Sequence, residues 1–328
     1  MTRKTVYLHI GSHKTATTSL QSTFSVSDAL MEAAGVLFPK SGRKYQAHHP
    51  LAWQLRDQDT VDTPLDALGD WPALFDEIDA SPAEVVVISS EDFEWIPTLD
   101  RLEDLKRRYD LRVLFYMRSP ETYLESFYNQ IVKDFVTRET RTLETYMTEE
   151  GLFFLDNLRI LSRWSKVVGQ ENVIVRLFDP DYLKGDIVTD FMDAIGCKAE
   201  IAFREPDVSV LHKVSLPPDA LEYLRLCNRH LTQEDGHHAF VVDLVQIART
   251  NRDGLMETRG GQLSLAAKTA VLRRFVPMNR EVSRRFLGAD HSPYLPQRAK
   301  PHPDYDQRMA VADAGVVAKV AVMIRNRD

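Results

Sequence analysis

The chain has 328 residues, a net charge of −7, 44% hydrophobic and 27% charged content, two cysteines and 10 histidines. This is the composition of one large globular domain or two small ones, and its acidic balance excludes a general nucleic-acid or anionic-membrane binder while leaving room for a local basic pocket. Cys197 and Cys227 have no zinc-like spacing and are expected to be reduced and buried, no apolar run approaches the ~20 residues of a membrane span, and the N-terminal apolar run is too short for a signal peptide, so a soluble, cytoplasmic protein without an integral membrane segment is expected.

In chain order, Thr5 to Ile10 reads as a buried strand that stops at Gly11. From Thr15 the pattern turns helical, with Leu20 and Phe24 four residues apart. An extended piece follows at Gly35–Pro39, and residues 40–81 read as a helical insertion. It contains a short amphipathic helix at Gln46–Leu55, a polar loop at Gln58–Pro64 and a helix at Leu65–Ile78. Glu84–Ser90 is the clearest strand, continuous and β-branched, as expected of a sheet covered on both faces. Then come a helix near Leu99–Tyr109, a strand at Leu111–Met117 and a long helix opened by Ser119 and Pro120, which suit N-cap and first helical position. Helices at Leu143–Glu149 and Leu152–Val167, a strand at Asn172–Phe178 and a helix at Asp186–Ile195 complete the pattern.

Strands alternating with helices imply βαβ units and a central parallel sheet flanked by helices. Beyond about Pro217 the pattern is mostly helical: Asp219–Leu231, His238–Thr250, Leu265–Phe286 with a kink or split at Pro277, and Gln307–Met323. The expected organisation is a single domain over 1–328, with an α/β core over 1–204 and a helical cap over 205–328. In such sheets ligands gather at the strand C-termini. The loop Gly11–Lys14, the acid Glu91 and the base Arg118 all fall there.

The first of these loops leads into a helix start, where unpaired N–H groups and the helix dipole favour an anion. Lys14 adds a full positive charge, and Thr15, Thr17, Thr18 and Ser19 add hydroxyl donors. A Walker A loop needs a Gly directly before its Lys and a Ser or Thr directly after for magnesium; here Lys14 comes early, without that Gly. An ordinary strand–turn–helix with a polar helix start is the plain alternative.

The string Lys14-Thr-Ala-Thr-Thr-Ser19 resembles the K-[TS]-G-T-T-[SW] loop of sulfotransferases that use 3′-phosphoadenosine-5′-phosphosulfate (PAPS), with Ala16 in place of the family's usual Gly. If that position required φ > 0, an alanine would be strained there. Tyr116-Met-Arg-Ser-Pro with Glu125-Ser126-Phe-Tyr128 is similar to the family's R-x-P…S-x-Y segment. The resemblance extends through Val173–Phe178 to Phe191–Gly196, and more loosely to Val276–Leu287 with Asn279. It implies a P-loop NTPase-like sulfotransferase fold, with PAPS as co-substrate and no metal required. It also implies a donor site made of Gly11, His13, Lys14, Thr15, Ala16, Thr17, Thr18, Ser19, Arg118 and Ser126, Arg118 and Ser126 holding the 3′-phosphate. An Arg fork suits phosphate through paired, charge-assisted hydrogen bonds. Phe178 then stands near the nucleotide, or is simply a core residue.

Lys14 is expected to stabilise the leaving phosphate oxygen. The base that removes the acceptor's proton is expected to be Glu91 or a histidine, His49 or its neighbour His48. The plain roles are pairing of Glu91 with Lys14 or Arg118, a surface helix start for the histidines, and a cap for Asp92. Arg259–Gln262 is a lid or a solvent turn, Arg273-Arg274 and Arg284-Arg285 are solvated helix faces or a glycan-receiving patch, and Tyr45, Trp53, Trp95 and Trp164 are core aromatics or sugar-stacking ones. The expected partner is a carbohydrate, lipid or small-molecule acceptor. The rival readings are a magnesium-dependent P-loop kinase and a non-catalytic nucleotide-binding protein.

Overall fold

The structure, a computed structural model, describes residues 3–204, 215–231, 236–250, 261–301 and Val320. Five strands, β1 (Thr5–His9), β2 (Val36–Leu37), β3 (Val85–Ser89), β4 (Asp110–Met117) and β5 (Val173–Leu177), form one all-parallel sheet in the order β2-β3-β1-β4-β5. The first residue of β1 and of β3 is half-buried and the next four are buried, as their continuous apolar sequence requires of a sheet covered on both faces. The order puts β1 at the centre, with β2 and β3 on one side and β4 and β5 on the other. The strand order therefore reverses beside β1, the kind of place where open α/β sheets bind ligands at their carboxyl ends.

The helices are α1 (Thr17–Ser25), α2 (Asp28–Ala33), α3 (His49–Arg56), α4 (Trp71–Ala80), α5 (Leu102–Arg108) and α6 (Pro120–Lys133). They continue as α7 (Leu143–Glu149), α8 (Asn157–Val168), α9 (Ile187–Ala194), α10 (Pro218–Cys227), α11 (His237–Thr250) and α12 (Leu265–Val282). The expected α/β class, a central parallel sheet flanked by helices, is present. Two compact units are distinguished: Met1–Ser119, Asp156–Asp207 and Met278–Pro293 make the first, and Pro120–Leu155, Val208–Pro277 and Tyr294–Asp328 the second. The first unit holds the whole sheet. Its core cluster packs Leu20 and Phe24 of α1 against Val87, Leu114 and Tyr116 of the sheet and Val188, Phe191 and Met192 of α9. Asp190 of α9 accepts from the Tyr116 hydroxyl at 2.8 Å and from Arg176 of β5 at 2.6 and 2.9 Å, which ties β4, β5 and α9 together.

In the second unit, Asn129 of α6 pairs both ways with the Leu216 backbone, at 2.8 and 3.1 Å. The Asn228 amide donates to the Val132 carbonyl at 2.8 Å, and His237 of α11 contacts the Asn228 amide oxygen at 3.1 Å. Glu125 of α6 accepts from the Leu263 N–H at 2.9 Å and lies 3.7 Å from Lys268 of α12. Gln262 donates to the Pro218 carbonyl. The lid or turn expected at Arg259–Gln262 is thus anchored at its described end, while Arg259 and Gly260 lie outside the described residues, as does the helix expected at Gln307–Met323 save Val320.

Several elements differ from expectation. The helix expected over Leu65–Ile78 is a 3-10 turn at Leu65–Ala67 followed by α4, because Gly69 breaks it at φ 49°. The Gln54 side chain lies where a Cβ at Gly69 would stand, and its amide pairs with Asp70 through the side chain at 2.8 Å and the backbone at 3.1 Å. The helix expected from Leu152 begins at Asn157, where the Asp156 carboxylate caps the Arg159 N–H at 3.0 Å. Pro277 lies inside α12 rather than splitting it, and a π turn at Ser283–Leu287 follows. Cys197 and Cys227 are unpaired but half-buried rather than buried.

Candidate active site

The pairing of β1 with β4 runs past the end of β1. The Ile10 N–H donates to the Leu114 carbonyl at 3.1 Å, the Tyr116 N–H to the Gly11 carbonyl at 2.9 Å, and the Ser12 N–H to the Tyr116 carbonyl at 3.3 Å. The loop that follows is thereby held against the carboxyl end of the sheet. Gly11 has φ 102°, and a Cβ there would stand 3.3 Å from the Glu91 Cα, so glycine is required both by conformation and by the close approach of the next strand's end. The loop then turns through Lys14 at φ 65° and Ala16 at φ 56°. The position where the resembling loops carry glycine does adopt the left-handed conformation, and here an alanine bears it.

The N–H groups of Thr17, Thr18 and Ser19 have no intrahelical acceptor, as at any helix start, and Ala16 at the N-cap makes no side-chain hydrogen bond to them. The Thr15 hydroxyl, expected as a ligand donor, donates instead to the Ser12 carbonyl at 2.7 Å and braces the loop. The Arg118 guanidinium donates to the Lys14 carbonyl at 2.5 Å and lies 5.9 Å from the Phe178 ring centroid. Phe178 itself is packed against the core cluster. Gly11, His13, Lys14, Ala16, Glu91 and Arg118 therefore come together at one edge of the sheet. Ser126 is half-buried on α6 and belongs to the second unit.

Glu91 begins a 3-10 turn, Glu91–Trp95, just beyond β3. Its carboxylate accepts from the Gln21 amide at 3.1 Å, Gln21 donates also to the Ser89 hydroxyl at 3.1 Å, and that hydroxyl contacts His9 Nδ1 at 2.8 Å. This buried polar row, His9–Ser89–Gln21–Glu91, was not expected. Its sequence signal is Gln21 beside Leu20 on a face otherwise apolar, four residues after Thr17. Burial pushes the His9 imidazole down to about 4, against the opposing effect of Glu91. Burial likewise pushes the Glu94 carboxyl up to about 8, with the charge of Glu91 adding to it and the His13 N–H, 3.4 Å away, opposing it. Glu94 is thus a protonated acid beneath the loop.

His13 is tied at both ends. Its backbone N–H reaches Glu94, and its Nε2 accepts a hydrogen bond from the Trp95 indole, whose ring centroid lies 5.8 Å away. Burial holds it below the usual histidine range. His48 is fully buried and occupied on both nitrogens, Nε2 with the Pro39 carbonyl at 2.9 Å and Nδ1 with the Ser89 N–H at 3.1 Å. It fixes α3 to β3 and is no proton acceptor for a ligand. His49 differs: its Nδ1 lies 2.8 Å from the Ser90 hydroxyl and 3.1 Å from Asp92 Oδ2, and its ring stacks on Trp53 at 5.8 Å and 10°. The Trp53 indole donates to the same Asp92 oxygen at 2.7 Å. Burial alone would raise the Asp92 carboxyl, but the hydrogen bond and charge of His49, with His13 and Trp53, hold it below the usual carboxylate range. Asp92, expected as a cap, is thus the partner of His49.

Among the described residues no cluster of His, Cys, Asp and Glu has metal-binding geometry, and no helix is long and apolar enough to cross a membrane.

No family model matches the chain. Over 117 residues, 34% of its length, it is 29% identical to an uncharacterized protein of Archaeoglobus fulgidus, and the match spans 30% of that protein. The chain is similar in structure to a sulfotransferase from Alicyclobacillus acidocaldarius, with a TM-score of 0.39 and 19% identity over 73% of this chain and 93% of that one. A likeness of that degree leaves the function to the residues of the site.

Proposed function

We propose that the protein is a sulfotransferase that moves a sulfuryl group from PAPS to a hydroxyl of a carbohydrate, lipid or small-molecule acceptor. The observation that supports this most is the loop after the central strand. It carries Lys14 into an uncapped helix start, with the Arg118 guanidinium bonded to the Lys14 carbonyl. A lysine, an arginine bonded to that lysine's carbonyl and the first-turn N–H groups of α1 in one loop are a combination suited to the phosphates of a nucleotide. Gly11, His13, Thr15 and Ala16 shape the loop; Thr17, Thr18 and Ser19 offer backbone and hydroxyl donors; Arg118 is the 3′-phosphate ligand.

The chemistry asks for positioning and charge stabilisation more than for covalent participation. The acceptor oxygen attacks sulfur, the bond from sulfur to the bridging phosphate oxygen breaks, and the electron pair stays on that oxygen, where Lys14 neutralises it. A side-chain base, Glu91 or His49, takes the acceptor's proton. No metal is needed, which separates this reading from a magnesium-dependent kinase.

Transfer of sulfur-35 from labelled PAPS across an acceptor library is the test. Lys14→Ala is expected to lower turnover by roughly 10²-fold or more with the fold intact. Arg118→Ala is expected to weaken donor binding more than it slows transfer. Wild-type turnover in Lys14→Ala removes Lys14 from the mechanism, and unchanged donor affinity in Arg118→Ala removes the 3′-phosphate assignment.

A further inference from the structure

Beside the carboxyl end of β3 two aromatic side chains stay open to water, Tyr45 at 84% and Trp53 at 42% exposure. Single exposed aromatics are ordinary on a protein surface. These two are fixed in place and share a cation: Lys44 Nζ lies 5.0 Å from the Trp53 ring centroid and 6.0 Å from that of Tyr45. Trp53 is held by its indole, which donates to Asp92 at 2.7 Å, and by the His49 ring stacked at 10° to its own. Tyr45 is held by a two-residue turn, in which the Lys44 N–H donates to the Ala47 carbonyl at 2.8 Å and the Ala47 N–H returns to the Lys44 carbonyl at 3.3 Å. The His48 N–H then joins this turn to the sheet, at 2.9 Å from the Ser89 carbonyl. As the first turn residue, Tyr45 takes φ 58°, a conformation that glycine adopts freely and tyrosine does not. The backbone is thus strained at a side chain that gains almost nothing from burial, and strain of this kind gathers at ligand sites.

Lys44 is exposed and, among the described residues, forms no ion pair. The Asp92 carboxylate, which Trp53 touches, is taken up by the indole and by His49. A wholly apolar ligand would need an enclosed pocket. A sugar ring needs less: its C–H face packs on an aromatic ring while its hydroxyls stay in water, so no polar group is buried without a partner. An ammonium placed near both rings adds a point charge, which favours a sugar that carries a carboxylate. The platform adjoins the donor loop. Asp92 follows Glu91, a Cβ at Gly11 would stand 3.3 Å from the Glu91 Cα, and the charges of Asp92 and His49 both act on His13.

We propose that Lys44, Tyr45 and Trp53 bind the acceptor and that it is an acidic sugar, its ring against the two aromatics and its carboxylate on Lys44. This inference names the acceptor class of the sulfotransferase reading above and rests on that reading. Lys44 sets the preference for an acid, and Tyr45 supplies contact that any sugar ring can use.

The test titrates the full chain, with adenosine 3′,5′-bisphosphate bound, against a disaccharide containing glucuronic acid and against its carboxyl-reduced, neutral counterpart. Titration with the bisphosphate itself reads the donor site separately. The wild type is expected to bind the acidic sugar roughly threefold to tenfold more tightly than the neutral one at low salt, a difference that fades as salt is added. Lys44→Met is expected to bind the two sugars alike. Tyr45→Gly is expected to weaken both roughly fivefold or more, with its urea midpoint held or raised because the turn is relieved. Both variants are expected to bind the bisphosphate within about twofold of the wild type, since they leave the donor loop untouched. While the bisphosphate still binds, absence of acidic-sugar binding in the wild type, an acid preference retained in Lys44→Met, or undiminished sugar binding in Tyr45→Gly overturns this inference alone. A lowered urea midpoint in Tyr45→Gly gives Tyr45 a structural role and overturns it as well. Failure of the wild type to bind the bisphosphate overturns the donor reading, and the acceptor assignment with it.

Discussion

Ala16 carries φ 56° at the entrance to α1, a conformation that costs an alanine about 1 kcal/mol and a glycine nothing of that kind. Ala16→Gly is therefore expected to stabilise the fold by roughly 0.5–1 kcal/mol, read as a higher urea midpoint at unchanged slope. A lower midpoint would mean that the methyl group's contact with the core cluster outweighs the backbone strain. At this scale the places of Lys14, Glu91 and Arg118 at strand ends were legible, while the histidine pair was read at a helix start, where α3 begins. What the sequence could not separate was His48 from His49. Adjacent residues at a helix start point in different directions, and only the packing of α3 turns one onto the Pro39 carbonyl and the other onto Asp92. Gln21 was missed, and the pairing of Trp53 with Asp92 not foreseen, for the same reason, since their partners lie 70 and 39 positions away in the chain.

The strands were legible because a parallel sheet covered on both faces demands continuous apolar runs, and few other elements do. The central place of β1 was not, because strand order is a long-range property with no local signal. Helix breaks were read less well. Gly69 gives no cue against a helix over Leu65–Ile78, yet its φ of 49° and the Gln54 side chain against it demand a glycine. Gly69→Ala is expected to cost roughly 1–3 kcal/mol, seen as a lower urea midpoint. An unchanged midpoint would show that Gln54 moves aside without loss. The same logic at higher stakes applies to Gly11, where the close neighbour is the Glu91 backbone rather than a flexible side chain.

Taken together, the buried ionisable groups set how stability varies with pH. His9 and His48, both held down to about 4, stay neutral in the fold while their unfolded counterparts gain protons below about 6.5. Stability from these two is present above that value and is lost as pH falls through 4. Glu94, pushed up to about 8, stays protonated in the fold while the unfolded carboxyl ionises above about 4.5. Its contribution is present at low pH and is lost as pH rises toward 8. Between 4.5 and 6.5 the two histidines and Glu94 act in opposite directions, and the Glu94 contribution goes on falling toward pH 8. Glu94→Gln is expected to flatten the alkaline side in thermal melts across pH. A wild-type alkaline slope retained in that variant would contradict the role of Glu94.

Calorimetric titration with adenosine 3′,5′-bisphosphate against ADP and ATP, with and without magnesium, tests most directly the proposal that the loop at Lys14 holds the donor. Tight, magnesium-independent binding that prefers the 3′,5′-bisphosphate is the expected result. No preference, or binding of ATP only with magnesium, would contradict it and point to the kinase reading instead.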